Sequence, residues 1–139
     1  MNAVDSSVAI PALAGWHESH ELCRPAAASA WIPSQVWLET YSVLTRIPSP
    51  YRLAADATAA LLVGFFGKKR TLYPSKRLMS DIVEICAAAG IAGGSTYDAL
   101  IGRIASDHDA TLLTLDRRAL RTYERLGIDV QLLDSRPDS

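Results

Sequence analysis

The chain has 139 residues, with 14 Lys and Arg against 15 Asp and Glu and a formal net charge of −1. Hydrophobic residues make up 49% and charged residues 21%, an ordinary globular composition with enough chain for one domain and a sizeable core. This balance argues against a broad basic surface for binding polyanions, and the longest apolar stretch, 57–67, is far below the ~20 residues of a membrane span.

Residue five is already an aspartate, so no export signal is expected and the cytoplasm is the expected location. Cys23 and Cys86 lie far apart among apolar neighbours, which suits two reduced, buried thiols.

In chain order, residues 1–4 make a short apolar strand closed by Asp5. Ser6 or Ser7 can cap a helix that ends near Gly15. Residues 16–29 read as helical around Pro25, and Ala30-Trp31-Ile32 before Pro33 reads as a second strand. Ser34 caps a helix to about Arg46, ended by the Pro48-Ser49-Pro50 turn. Residues 53–66 form an alanine-rich helix, broken at 67–70, and 71–73 are a strand or extended link. Ser75 caps a helix to about Ala89, and Ser95 starts another that runs to about Asp109. Residues 110–115 are the clearest strand, 117–126 are a helix stopped by Gly127, and 128–133 are a last strand. The domain spans 1–134, with a flexible tail over 135–139.

Strands separated by helices predict an α/β fold: a three-layer sandwich whose central parallel sheet of four to five short strands is flanked by helices. Ligands of such sheets bind beyond the carboxyl ends of the strands. Asp5 and Asp116 both stand at such ends.

Two further acids stand out. Glu39 is three residues after Val36 and four before Val43, so it shares their apolar face. Either it is drawn into a site, or the face is half-buried and Glu39 pairs with an arginine. Asp98 follows Ser95 by three residues, the spacing of a capping box. Asp5 and Asp116 could likewise be plain helix caps. If the four converge, their repulsion calls for a hard divalent cation. With these four of the 15 acids set aside, 11 remain against 14 bases, a mildly basic remainder.

Other polar features point less clearly. His17 and His20 are a surface pair rather than metal ligands. Lys68-Lys69-Arg70 and the stripe Arg117, Arg118, Arg121, Arg125 could meet phosphates, although such stripes are usually solvated faces. Trp16, Trp31 and Trp37 suit the core or a subunit contact better than base stacking.

Val4-Asp5-Ser6-Ser7, Glu39 in the helix after the second strand, Tyr97-Asp98-Ala99 and Thr114-Leu115-Asp116 together resemble the PIN-domain ribonucleases, specifically the VapC-type toxins of toxin–antitoxin pairs. The resemblance covers nearly the whole chain. Two departures are a minimal first strand and Ser6 where threonine is frequent. The resemblance implies cleavage of RNA that depends on Mg2+, for which Mn2+ may substitute. Asp5, Glu39, Asp98 and Asp116 would be the catalytic and metal-holding acids. Asp5 and Asp98 would be direct ligands, with Ser6 and Thr114 supporting them and Arg117 and Arg118 contacting RNA. It also implies a homodimer and a small antitoxin partner that binds DNA; the sequence itself offers only a compatible surface, with Trp16, Phe65 and Phe66 as exposed apolar candidates. The alternatives are a nuclease of RNA processing and a PIN-like scaffold that cuts nothing. Alanine at Asp5 or Asp98 is expected to leave the fold intact, or to stabilise it without metal.

Overall fold

The computed structural model describes residues 1–134; the tail expected at 135–139 lies outside them. Five strands alternate with helices: β1 (Asn2–Val4), α1 (Ser6–Leu13), α2 (His20–Ala28), β2 (Ile32–Pro33), α3 (Ser34–Arg46), α4 (Ala55–Phe66), β3 (Thr71–Leu72), α5 (Lys76–Ala88), α6 (Ser95–Asp107), β4 (Thr111–Thr114), α7 (Arg117–Arg125) and β5 (Val130–Leu132). A single 3-10 turn, Lys68–Arg70, joins α4 to β3.

Among the described residues every strand pairing is parallel. β4 sits between β1 and β5, and β2 pairs with β3. The two groups join through a parallel bridge between Ala3 and Trp31, with Val4 N–H donating to the Trp31 carbonyl at 3.0 Å. The strand order is therefore β3-β2-β1-β4-β5, and the expected α/β sandwich with a parallel sheet flanked by helices is what forms. β1 and β4 read as continuous apolar runs because parallel strands are covered on both faces. Ala3, Val4, Leu112 and Leu113 are all buried.

Several boundaries differ from the sequence reading for local reasons. α2 starts at His20 because residues 14–19 turn instead: His17 N–H bonds the Ala14 carbonyl, and the His17 ring accepts from Ser19 N–H at 3.0 Å. Side-chain acceptors of this kind compete with helix formation. Ser34 does not cap α3; Pro33 is the N-cap and no side chain fills that role. α1 is capped by Asp5 rather than by Ser6 or Ser7.

Two expectations about the surface are corrected. Phe66 is buried in the core, and Phe65 is half-buried beneath the Arg24 guanidinium at 4.9 Å. Arg70 is not a free phosphate contact. Its guanidinium donates to the carbonyls of Phe65, Phe66, Ala27, Ala28 and Ala30 at 2.6–3.2 Å. The rigid five-donor fork thus satisfies the carboxyl ends of α2 and α4, whose last carbonyls have no partner within their helices.

Candidate functional site

The site begins where β1 ends. Asp5 caps α1 and is only 3% exposed. Its Oδ1 accepts from Ser7 N–H at 3.0 Å and from the Ser7 hydroxyl at 2.5 Å. Its Oδ2 accepts from the Thr114 hydroxyl at 2.6 Å and from the Tyr123 hydroxyl at 2.9 Å. Burial pushes the Asp5 pKa up, and these hydrogen bonds pull part of the way back. The two hydroxyls go on to accept backbone donors of the opposite strand end. Ser7 Oγ takes Leu115 N–H at 2.8 Å and Thr114 Oγ1 takes Asp116 N–H at 3.1 Å. The carboxyl ends of β1 and β4 are thereby joined through one carboxylate.

The other three acids line a single cavity of about 380 Å3 together with Ser6, Tyr97 and Arg118. Glu39 is half-buried beside the fully packed stripe Val36, Thr40 and Leu44 of α3. Burial raises its pKa most, the nearby Asp5 charge raises it further, and hydrogen bonding from Ser6 lowers it. Asp98 lies in the first turn of α6, but Gly94 is the N-cap and no side-chain capping bond forms there. The capping box suggested by Ser95 and Asp98 is absent, so the carboxylate is not spent on the backbone. Its pKa rises to about 6, chiefly through burial and then through the charges of Glu39, Asp116 and Asp5, with Arg118 opposing. Asp116 does cap α7. Both capping bonds, from Arg118 N–H at 2.9 Å and Ala119 N–H at 3.1 Å, go to Oδ1.

Among the described residues, none of the four acids forms an ion pair with Lys, Arg or His. Negative charge therefore accumulates without a direct cationic partner. No three His, Cys, Asp or Glu side chains among the described residues gather closely enough to grip one ion unaided. Asp5 is set behind the cavity wall and acts on Glu39 and Asp98 through its charge. His17 and His20 are occupied locally, His20 with the Pro11 carbonyl at 2.8 Å. Arg117 pairs with Asp134 at 2.7 Å, while Arg118 faces the acid cavity.

Ser7 and Tyr123 were not among the expected site residues. Ser7 stood in view next to Ser6. Tyr123 shares the inward face of α7 with Ala119 and Thr122, and a buried tyrosine hydroxyl requires a partner, which was the one available hint.

The PIN domain family model matches residues 3–125. This chain belongs to the PIN-domain family. This PIN domain is 40% identical over 136 residues to Ribonuclease VapC40 of Mycobacterium tuberculosis, covering 96% of this chain and 99% of that protein. It is 41% identical over 135 residues to Ribonuclease VapC27 of the same organism, covering 92% and 93%. Among solved structures, the FitAB complex bound to an IR36 DNA fragment superposes with a TM-score of 0.69 at 14% identity, covering 96% of this chain and 95% of the matched one. VapBC2 from Rickettsia felis, bound to a DNA fragment from its promoter, superposes with a TM-score of 0.66 at 16% identity, covering 96% and 98%. At such identities the two structures speak for the PIN fold alone. No helix among the described residues of this PIN domain is long and apolar enough to cross a membrane.

Proposed function

We propose that this PIN domain is a metal-dependent endoribonuclease, the toxin of a VapBC-type toxin–antitoxin pair acting in the cytoplasm. The observation that carries the reading is the unpaired acidic cavity of Glu39, Asp98 and Asp116, backed by Asp5. The similarity to two proteins named as VapC ribonucleases supports it.

The donor set fits Mg2+ or Mn2+. All the candidate ligands are carboxylate oxygens, which hard cations prefer. Mg2+ commonly takes one or two protein carboxylates and completes its shell with water and substrate phosphate. That habit suits a cavity in which no three acids close on one point. Asp98 and Asp116 would hold the ion. Asp5 has both oxygens engaged by four donors and would act from behind as a fixed charge, in place of the direct role that the resemblance implied. A bound divalent ion supplies an activated water and neutralises charge on the phosphate during in-line attack.

The protein's own part is to hold the acids in place. Asp116 is fixed by two backbone donors and Asp5 by four hydrogen bonds, so neither must reorganise as substrate enters. Glu39, with its raised pKa, stands ready to take a proton from attacking water. Arg118 offers a cation to the scissile phosphate at the cavity wall. The products would be a 5′-phosphate and a 3′-hydroxyl. A DNA-binding antitoxin is the proposed partner, after the DNA-bound FitAB and VapBC2 complexes to which the fold is similar, and a second copy of the chain is proposed from the family resemblance alone.

The test is cleavage of total RNA by the purified protein. Cutting should need Mg2+ or Mn2+, stop with EDTA and vanish in Asp98→Asn. Cleavage at the wild-type rate by Asp98→Asn would refute the site. A folded wild type that cuts no RNA in any metal would favour the non-catalytic scaffold.

A further inference from the structure

The acid cavity is lined by Glu39, Asp98 and Asp116 and, among the described residues, by one cation, Arg118. The two signs meet without closing. The Arg118 guanidinium is not within ion-pair distance of any of the acids, and its side chain makes no hydrogen bond to another described residue. Other arginines nearby are committed elsewhere. Arg117 is paired with Asp134, and Arg125 donates to the Ala89 and Gly90 carbonyls.

What is fixed about Arg118 is its root. Its backbone N–H donates to Asp116 Oδ1 at 2.9 Å in the first turn of α7. The side chain beyond that root is exposed, so it turns about a base anchored on one of the acids themselves. A second cavity, of about 820 Å3, meets the acid cavity at Asp116 and Arg118. One guanidinium therefore borders both spaces. In the larger one, Arg117 and His17 are offset by Glu18 and Asp134, so nothing there holds a cation as strongly as three acids do.

The Arg118 charge is felt among the acids: it opposes the rise in the Asp98 pKa that burial and the other carboxylates cause. In part, then, it already supplies the neutralisation that a divalent ion would supply in full. Two cations drawn to the same carboxylates repel one another and compete for them. A phosphate offers a guanidinium a paired, planar contact that the three separated acids do not make with it.

We propose that Arg118 is the resident counter-ion of the acid cavity: it competes with the divalent ion for Glu39, Asp98 and Asp116, and passes to a substrate phosphate on the side of the larger cavity when that ion binds. This rests on the metal-dependent nuclease reading and adds to it a residue that sets the metal affinity of the free protein.

The experiment is titration calorimetry of the full chain with MgCl2 and MnCl2 in the absence of RNA. Arg118→Ala should bind Mg2+ about 3- to 30-fold more tightly than wild type, the scale of one partly screened unit charge a few ångströms from a divalent ion. Arg118→Gln, which keeps most of the stem, should gain as Arg118→Ala does. Arg118→Lys keeps the charge and should stay within about 2-fold of wild type. Arg117→Ala removes the same charge from the neighbouring position, outside the acid cavity, and should shift the affinity less than about 2-fold. The gain in Arg118→Ala should shrink as KCl rises from about 0.05 to 0.5 M. A fluorescein-labelled single-stranded RNA of about 15 nucleotides, held uncut in EDTA, should bind Arg118→Ala more weakly, with a slope of log K against log salt shallower by about 0.7, one single-strand phosphate. Tighter metal and looser RNA from one substitution is a pair of opposite changes that a loss of folded structure does not give.

Mg2+ binding by Arg118→Ala at or below the wild-type affinity would overturn the proposal, and metal binding by the wild type would leave the nuclease reading standing. An equal gain in Arg117→Ala would also overturn it, assigning the effect to net charge. Unchanged RNA affinity in Arg118→Ala would overturn the transfer to phosphate. A wild type that binds neither Mg2+ nor Mn2+ would remove both readings.

Discussion

Tyr123 and Asp5 are 118 positions apart in sequence, yet the tyrosine hydroxyl donates to Asp5 Oδ2 at 2.9 Å in a fully buried setting. The same oxygen is held by Thr114 at 2.6 Å. The ring is packed tightly: a β-carbon on Gly102 would come within 3.0 Å of it. Tyr123→Phe keeps the ring and removes one of the four donors. It is expected to lower stability by about 1.5–3 kcal/mol, the range for a bond to a charged group. It should also reduce cleavage by about 10- to 100-fold, as when a partner that orients the acids of a metal site is lost. Melting curves and initial rates at several Mg2+ concentrations measure both.

Alanine at Asp5 is expected to depart from the harmless or stabilising change that the sequence suggests. It strands the hydroxyls of Ser7, Thr114 and Tyr123 together with Ser7 N–H. Unmade hydrogen bonds at buried donors outweigh any relief of repulsion, and a loss of about 2–4 kcal/mol is expected. A melting temperature at or above wild type in metal-free buffer would contradict this.

Asp98→Asn should do the reverse. The Asp98 pKa rises from 3.8 to about 6 on folding, so between these values the folded chain binds more protons than the unfolded one. The penalty of a charged Asp98, from burial first and from the neighbouring carboxylates second, is therefore absent below pH 3.8, grows as pH rises, and is complete above about 6. With allowance for solvent screening at this half-buried group it is about 1 kcal/mol. Metal-free wild type should melt at a lower temperature at pH 7 than at pH 5, and Asp98→Asn should flatten that difference. An unchanged pH slope in the variant would place the charge elsewhere.

Added Mg2+ should raise the wild-type melting temperature at pH 7.5, by roughly 2.7 kcal/mol of stability at 100 times the dissociation constant. Asp98→Asn and Asp116→Asn should respond little or not at all. A full response in both variants would place the ion away from these acids.

Arg70→Lys is expected to destabilise the fold by about 2–4 kcal/mol, because an ammonium cannot reach five carbonyls, four at two helix ends and that of Ala30 between α2 and β2. The affinity of the folded fraction for RNA should be unaffected, which separates Arg70 from Arg118. An RNA affinity that falls in step with the substitution would return Arg70 to the binding surface.

Strand–helix alternation, the apolar runs at β1 and β4, and the glycine after α7 were legible because each is a local pattern of period, cap and stop. The acids were legible as candidates for the same reason: Asp5 and Asp116 stand at strand ends, and Glu39 interrupts an apolar face. Residues 16–19 were misread because a side chain, the His17 ring, took a backbone donor that a helix would have used. Arg70 was misread because nothing in Lys68-Lys69-Arg70 reveals that five carbonyls, from two distant helix ends and the segment after α2, converge on it.

Sequence alone determined which groups could ionise and that Asp5 and Asp116 would stand at the carboxyl ends of strands, since both follow from residue type and local period. Tertiary structure alone decided that Asp5 is bonded behind the wall while Glu39, Asp98 and Asp116 share open space, and that Tyr123 completes the set. The reason is that burial and carboxylate charge act through distances of a few ångströms, and those distances are set by packing between elements a hundred residues apart.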